Sequence, residues 1–179
     1  MSSELSVLKD VCRRLEAGRF EYMLTGSMAL NYYAQPRMTR DLDIVVALTV
    51  DDWGRFGALF EDAYYVPEVT LAGPQSIPMF NLLHLASVVK IDFILRRDDE
   101  FRRTEFNRRI RVRLLDFDCW IVSREDLILS KLVWAADSRS DFQLRDVRHL
   151  LAEPHDLFYL EHWANMLAVA PLLKELRGE

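Results

Sequence analysis

Residues 4–18 place Leu5, Leu8, Val11, Cys12 and Leu15 at intervals of three and four, the spacing of one helix face, and Gly18 closes the pattern. A short β-prone run follows, Tyr22-Met23-Leu24-Thr25. After it come Gly26-Ser27 and then Met28 to Ala34, which reads as helix until Pro36. Residues 41–48 alternate and then become continuously apolar, the pattern of a strand buried on both faces. Asp51-Asp52 reads as the cap of a helix carrying Trp53, Phe56, Leu59 and Phe60. Residues 66–78 hold prolines, a glycine and polar residues, and predict a loop long enough to contact substrate. Two β-like runs, 79–85 and 88–95, lie close enough to form a hairpin. After an arginine-rich helix, residues 110–114 and 119–122 make a further strand pair around Asp116-Phe117-Asp118.

Beyond Ser123 the period is helical throughout, over about 124–137, 140–152 and 156–177, with Pro154 separating the last two. Strands interleaved with helices, then helices alone, predict an α/β (α+β) fold: a mixed β-sheet core flanked by helices with a C-terminal α-helical tail. The expected division is 1–122 for the core and 123–179 for a helical region packed on it. The faces of Trp134, Leu150, Leu151 and Trp163 are expected to pack that tail on itself or against the sheet.

Composition narrows the function. At 179 residues, half of them hydrophobic, the chain can bury one core. The net charge of −5 excludes a global basic field that would draw it onto nucleic acid. A local basic stretch runs from Arg96 to Arg113, eight arginines against Asp98, Asp99, Glu100 and Glu105. Mixed signs at this spacing read first as a solvated helix face, and second as an acceptor-RNA or phosphate contact. Cys12 and Cys119 lack C-x-x-C spacing and fit packing positions in a reducing cytoplasm. With no signal-peptide pattern at the N-terminus and no apolar run near the ~20 residues that span a bilayer, a cytoplasmic protein without membrane contact is expected.

Candidate chemistry lies in the strands. Asp41 and Asp43 are two apart in an apolar strand, so both side chains point to one side, ~7 Å apart along the backbone. Two carboxylates so placed repel each other and resist desolvation, which calls for a counter-charge. Asp92 repeats the anomaly among Val88, Val89, Ile91, Phe93, Ile94 and Leu95. If the two strands are neighbours, the three acids converge on a patch suited to two Mg²⁺ ions ~3.5–4 Å apart. Gly26-Ser27, between strand and helix, offers unpaired N–H groups and the positive end of a helix dipole to a phosphate.

Taken together, LTGSMALNYYAQPRMTRDLDIVV followed by VVKIDFIL resembles the signature of the nucleotidyltransferase superfamily related to DNA polymerase beta. The likeness covers residues 22–95 and fills all five diagnostic positions. It implies that Gly26 and Ser27 hold the triphosphate of an NTP, ATP among the candidates, and that Asp41 and Asp43 ligate Mg²⁺, with Mn²⁺ as a substitute. Asp92 would be the third carboxylate, acting on the acceptor hydroxyl. The implied reaction is attack of that hydroxyl on the α-phosphate with release of pyrophosphate. Arg37-Met38-Thr39-Arg40 resembles the Arg-x-Thr-x-Asp lead-in of bacterial members, toxin-type and abortive-infection proteins included. Arg37 or Arg40 then balances phosphate charge or forms an ordinary ion pair.

Residues 125–151 are similar to the helical tail of bacterial nucleotidyltransferase-like proteins, with Lys131, Ser140, Gln143 and Asp146 at matching places. Lys131 either reaches the triphosphate or is a snorkelling lysine paired with Asp126 or Asp146. Gln143 and Asp146 are expected to organise a helix contact. The acceptor implied is a tRNA end, a protein or a small molecule, and the toxin-type resemblance admits a cognate antitoxin as partner. The competing reading is a non-catalytic module of the same fold that binds a nucleotide or a protein. His84 reads as structural, the remaining histidines lack zinc spacing, and Tyr33 either packs or borders the base pocket.

Overall fold

The computed structural model describes residues 2–67, 78–138 and 140–178. Among the described residues seven strands form one mixed sheet in the order β3-β4-β5-β2-β1-β7-β6. They are β1 (Tyr22–Thr25), β2 (Asp41–Val46), β3 (Tyr64–Tyr65), β4 (Met79–His84), β5 (Lys90–Leu95), β6 (Ile110–Leu114) and β7 (Phe117–Ile121). The helices are α1 (Ser3–Ala17), α2 (Gly26–Tyr33), α3 (Trp53–Ala58), α4 (Glu100–Asn107), α5 (Arg124–Ser138), α6 (Asp141–Leu151), α7 (Leu157–Met166) and α8 (Ala170–Arg177). The α/β architecture with helices last in the chain is the one the periodicities predict.

Helix α1 starts at Ser2, whose hydroxyl accepts from the Leu5 N–H, and it buries Val7, Leu8, Val11, Cys12 and Leu15. In the centre of the sheet β1 runs antiparallel to β2 and parallel to β7, while β2 runs parallel to β5. Parallel pairing of β2 and β5 requires a crossover. Part of it is α3, whose Phe56 packs among Trp53, Phe60, Phe80 and Phe93. This aromatic cluster fills one side of the sheet and leaves the opposite side of β2 and β5 for polar groups.

Three expectations change. The second strand is not buried on both faces: Leu42, Ile44 and Val46 are fully covered, but Asp41 is exposed and Asp43 and Val45 are half-buried. The alternation in its first residues, not the later apolar run, carried the right signal. Asp52 stands at the N-cap of α3 as expected, but its side chain makes no cap bond there and instead accepts from the Thr49 N–H (2.8 Å), closing a 3₁₀ turn at Val50–Asp52. The helix expected over 156–177 is two helices, α7 and α8. They are separated at Leu167–Val169, where Ala168 takes a positive φ of 58° and Pro171 stands in the first turn of α8. Proline lacks the N–H that continuity requires and is at home in a helix start.

The tail shares its core with the sheet. Leu127, Ile128, Leu129 and Leu132 of α5 are buried in the same cluster as Leu24, Ile44 and Ile121. Residues 68–77, most of the loop expected to contact substrate, lie outside the described residues. No helix among the described residues is long and apolar enough to cross a membrane.

Candidate active site

The polar side of the sheet is organised by register. Asp43 lies opposite Thr25 on β1 and opposite Asp92 on β5, so the two aspartates are direct neighbours facing the same way. Asp41 lies opposite Lys90, whose ammonium pairs with Asp92 Oδ2 at 2.8 Å. The other oxygen, Asp92 Oδ1, is buried and has no hydrogen-bond partner. Burial raises the pKa of Asp43 above the ordinary carboxylate value, and Asp92 and then Asp41 add to the rise by repulsion. Lys131 and a hydrogen bond from the Ser27 backbone act against it.

Gly26 explains its own identity. Its φ is +63°, and a Cβ there would stand 1.9 Å from Asp43 Oδ2. A side chain is excluded twice, by backbone conformation and by contact. The first residues of α2 therefore press directly on the Asp43 carboxylate, and the turn and acids form one site.

Lys131 is only 4% exposed. Its ammonium reaches Asp146 (2.9 Å) and Gln143 (3.0 Å), both on α6, and it lines the cleft beside Asp43. Its pKa is lowered, chiefly by burial, against the pull of Asp146. The paired-lysine reading, with Asp146 and not Asp126 as partner, and the cleft-facing reading both describe its place. Arg37 sits behind the Gly26-Ser27 turn: it grips both oxygens of Asp146 (3.2 and 3.0 Å) and donates to Ser27 Oγ at 2.5 Å. Arg40 is exposed and does not line the cleft. Burial raises the Asp146 pKa, but the bonds from Arg37 and Lys131 outweigh it and hold the group below the carboxylate range.

These residues open on a cleft of about 510 Å³. The sheet supplies its floor, α2 one end, and α5 a wall of Leu127, Ser130, Lys131, Trp134 and Asp137 at helical spacing. Trp134, expected in the core of the tail, is 60% exposed on that wall. The far end is formed by Arg96, Arg97, Arg102 and Glu105. The solvated-helix reading of the arginine stretch is therefore incomplete. Glu105 is buried and saturated by Arg102 (2.7 Å) and Ser130 (2.5 Å), and Arg108 pairs with the buried Asp126 at 3.1 Å. An acid three residues after an arginine on a helix with Phe101 and Phe106 was the signal for a buried face. Tyr33 packs, donating to the Val122 carbonyl at 2.7 Å, and faces a separate depression with Arg124. His84 is structural, its Nδ1 bonded to the Ser87 hydroxyl at 2.7 Å.

The donor set fits a hard divalent cation. Among the described residues that line the cleft, carboxylate and hydroxyl oxygens are available and no histidine or cysteine is, one buried oxygen has no protein partner, and repulsion among the acids is relieved by positive charge. Among the described residues no three acids, histidines or cysteines converge into a cage that would hold a metal by themselves. Such a site relies on substrate oxygens and water to complete coordination, the habit of Mg²⁺ at phosphates.

No family model matches the chain, and no curated protein matches it by sequence. Solved structures do match its fold. An antigenic nucleotidyltransferase-like protein from Paracoccidioides brasiliensis aligns over 98% of this chain and 92% of its own, at TM-score 0.59 and 17% identity. The antibiotic-resistance factor ANT(2'')-Ia, in complex with adenylyl-2''-tobramycin, covers 99% and 100% at TM-score 0.60 and 11% identity. The lincosamide antibiotic adenylyltransferase LnuA, with lincomycin bound, covers 84% and 96% at TM-score 0.57 and 14% identity. At such identities the likeness is one of fold, and the fold is that of the nucleotidyltransferases.

Proposed function

We propose, from this nucleotidyltransferase fold, that the chain is an enzyme that transfers a nucleoside monophosphate from an NTP to a hydroxyl acceptor. The observation that carries the reading is the register of Asp43 and Asp92 on β2 and β5, with the backbone of Gly26 pressed against Asp43. A fold kept without its chemistry has no reason to hold two carboxylates against each other under a glycine of positive φ.

In this reading Gly26 and Ser27 receive the phosphates through the N-terminal N–H groups of α2. Arg37 holds the Ser27 hydroxyl in place and acts through it. Lys131 balances phosphate charge from the α5 wall. Mg²⁺, which Asp41, Asp43 and Asp92 would hold only together with phosphate oxygens and water, would supply charge neutralisation at the reacting phosphate. The acceptor oxygen bonds to the α-phosphorus as the bond to the bridging oxygen breaks, pyrophosphate leaves, and the acceptor proton passes toward the Asp92 carboxylate. ANT(2'')-Ia and LnuA carry antibiotics in their structures, which favours a small-molecule acceptor over a tRNA end or protein here.

The test is transfer of label from each α-labelled NTP, with Mg²⁺, to small-molecule, RNA and protein pools, together with pyrophosphate release. Wild type is expected to label one pool, and Asp43→Asn none. Equal labelling by both proteins overturns the site, and nucleotide binding without turnover on any pool favours the non-catalytic module.

A further inference from the structure

The proposed reaction leaves the arginine end of the cleft without a role. Arg96 follows Asp92 by four residues, and its N–H bonds the Val46 carbonyl at 3.0 Å, so the β5 ladder continues to it. At ~3.3 Å per residue it stands about 13 Å along the strand from Asp92, on the same face. Its guanidinium lies over the Phe106 ring, 5.5 Å from the centroid, while its Nε is buried without a hydrogen-bond partner. Among the described residues no carboxylate pairs with it. Arg97 beside it is 76% exposed and, among the described residues, pairs only with Asp99, at 3.5 Å. The acids nearby do not cancel this charge: Glu105 is taken up by Arg102 and Ser130, and Asp137 is exposed at the rim of α5.

The strand order says on which side of Asp43 these arginines lie. The phosphate turn adjoins β1, and the sequence β1-β2-β5 puts Asp92 and Arg96 on the far side of Asp43 from it. In an in-line displacement the acceptor enters opposite the leaving pyrophosphate, hence from the β5 side. We infer that Arg96 and Arg97 form the acceptor subsite and that the acceptor carries a phosphate besides its reacting hydroxyl. This rests on the nucleotidyl-transfer reading for the direction of attack, not for the presence of an anion site. It sets the cleft apart from one suited to a polyamine sugar such as tobramycin, which these guanidiniums repel.

Isothermal titration of the full chain separates the cases. The probes are ribose 5-phosphate, a short RNA with a free 3′ hydroxyl, tobramycin, and a non-hydrolysable ATP analogue with Mg²⁺, each on wild type, Arg96→Gln, Arg96→Lys and the surface variant Arg97→Gln. At least one phosphate probe is expected to bind wild type about tenfold more tightly than Arg96→Gln, the scale of one charge-assisted hydrogen bond, with Arg96→Lys between. Whether the sugar phosphate or the RNA binds identifies the source of the phosphate. The inference is overturned if tobramycin binds and neither phosphate probe does, if both arginine-to-glutamine variants bind phosphate within twofold of wild type, or if the losses fall on the ATP analogue instead. Should the analogue fail to bind wild type while phosphate binding still depends on Arg96, nucleotidyl transfer falls and the anion subsite stands.

Discussion

Arg37 and Asp146, 109 residues apart in sequence, meet as a two-pronged ion pair in which the carboxylate is 1% exposed. Because Arg37 also donates to Ser27 and Asp146 also accepts from Lys131, the pair ties the Gly26-Ser27 turn to the α5–α6 wall.

Asp146→Ala strands two cations at once, and removing one partner of a buried pair costs about 3–5 kcal/mol. Arg37→Ala leaves Asp146 its lysine and is expected to cost less. Urea unfolding of both variants measures the order, and an Asp146→Ala protein within 1 kcal/mol of wild type by that measure contradicts it.

The same carboxylate sets an acid limit. Its folded pKa lies below the ordinary value, so its stabilisation is complete above about pH 4 and is lost as pH falls through the lower folded value. The stability gap between wild type and Asp146→Asn is therefore expected to be flat from neutral pH to about pH 5 and to close in stronger acid. Thermal melts across that range check it.

Asp43 has the opposite sign. Its folded pKa is raised, so the stability tied to its protonated form is present in acid and lost as pH rises through the folded value. At neutral pH without divalent cations, Asp43→Asn is expected to melt higher than wild type, by about 2–4 °C for each kcal/mol of relieved repulsion, while losing activity. Adding Mg²⁺ is expected to raise the wild-type Tm and to leave the variant unmoved. A variant that melts lower than wild type under metal-free conditions refutes the electrostatic account.

Gly26→Ala introduces a methyl group where Asp43 Oδ2 already stands. Loss of about 1–3 kcal/mol of stability, together with at least a tenfold fall in activity, is expected from strain at a positive φ and displacement of the carboxylate. A Gly26→Ala variant that is both active and stable contradicts the close packing of the turn.

Trp134 is 60% exposed, whereas Trp53 and Trp163 are 5% and 8% exposed and Trp120 is half-buried. Its replacement by Phe is expected to change stability by no more than about 0.5 kcal/mol. Cleft occupancy by a nucleotide should alter tryptophan emission in wild type and much less in this variant, and an equal response in both removes Trp134 from the binding wall.

Much of the site was legible because its signals are local. Asp41 and Asp43 share a face through the strand period, and Gly26-Ser27 stands between a strand and a helix whatever the fold does next. Where the local period was ambiguous, reading failed: the apolar run after Asp43 mimicked a doubly buried strand, and the last helical stretch concealed a break whose sign was Pro171. Trp134 was misread, and the arginine stretch only partly read, for another reason. Hydrophobicity and charge state what a side chain prefers, and not whether a neighbouring element covers it.

By its own order of residues the chain determined the elements, the acidic pair and the Gly26-Ser27 turn between strand and helix, since these depend on neighbours within a few positions. The tertiary structure alone decided that β5 adjoins β2 with Asp92 level with Asp43, that Asp146 and not Asp126 takes Lys131, and that Arg96 reaches the cleft without a counter-ion. Strand order, register and burial come from packing surfaces distant in sequence, where no local period records the partner.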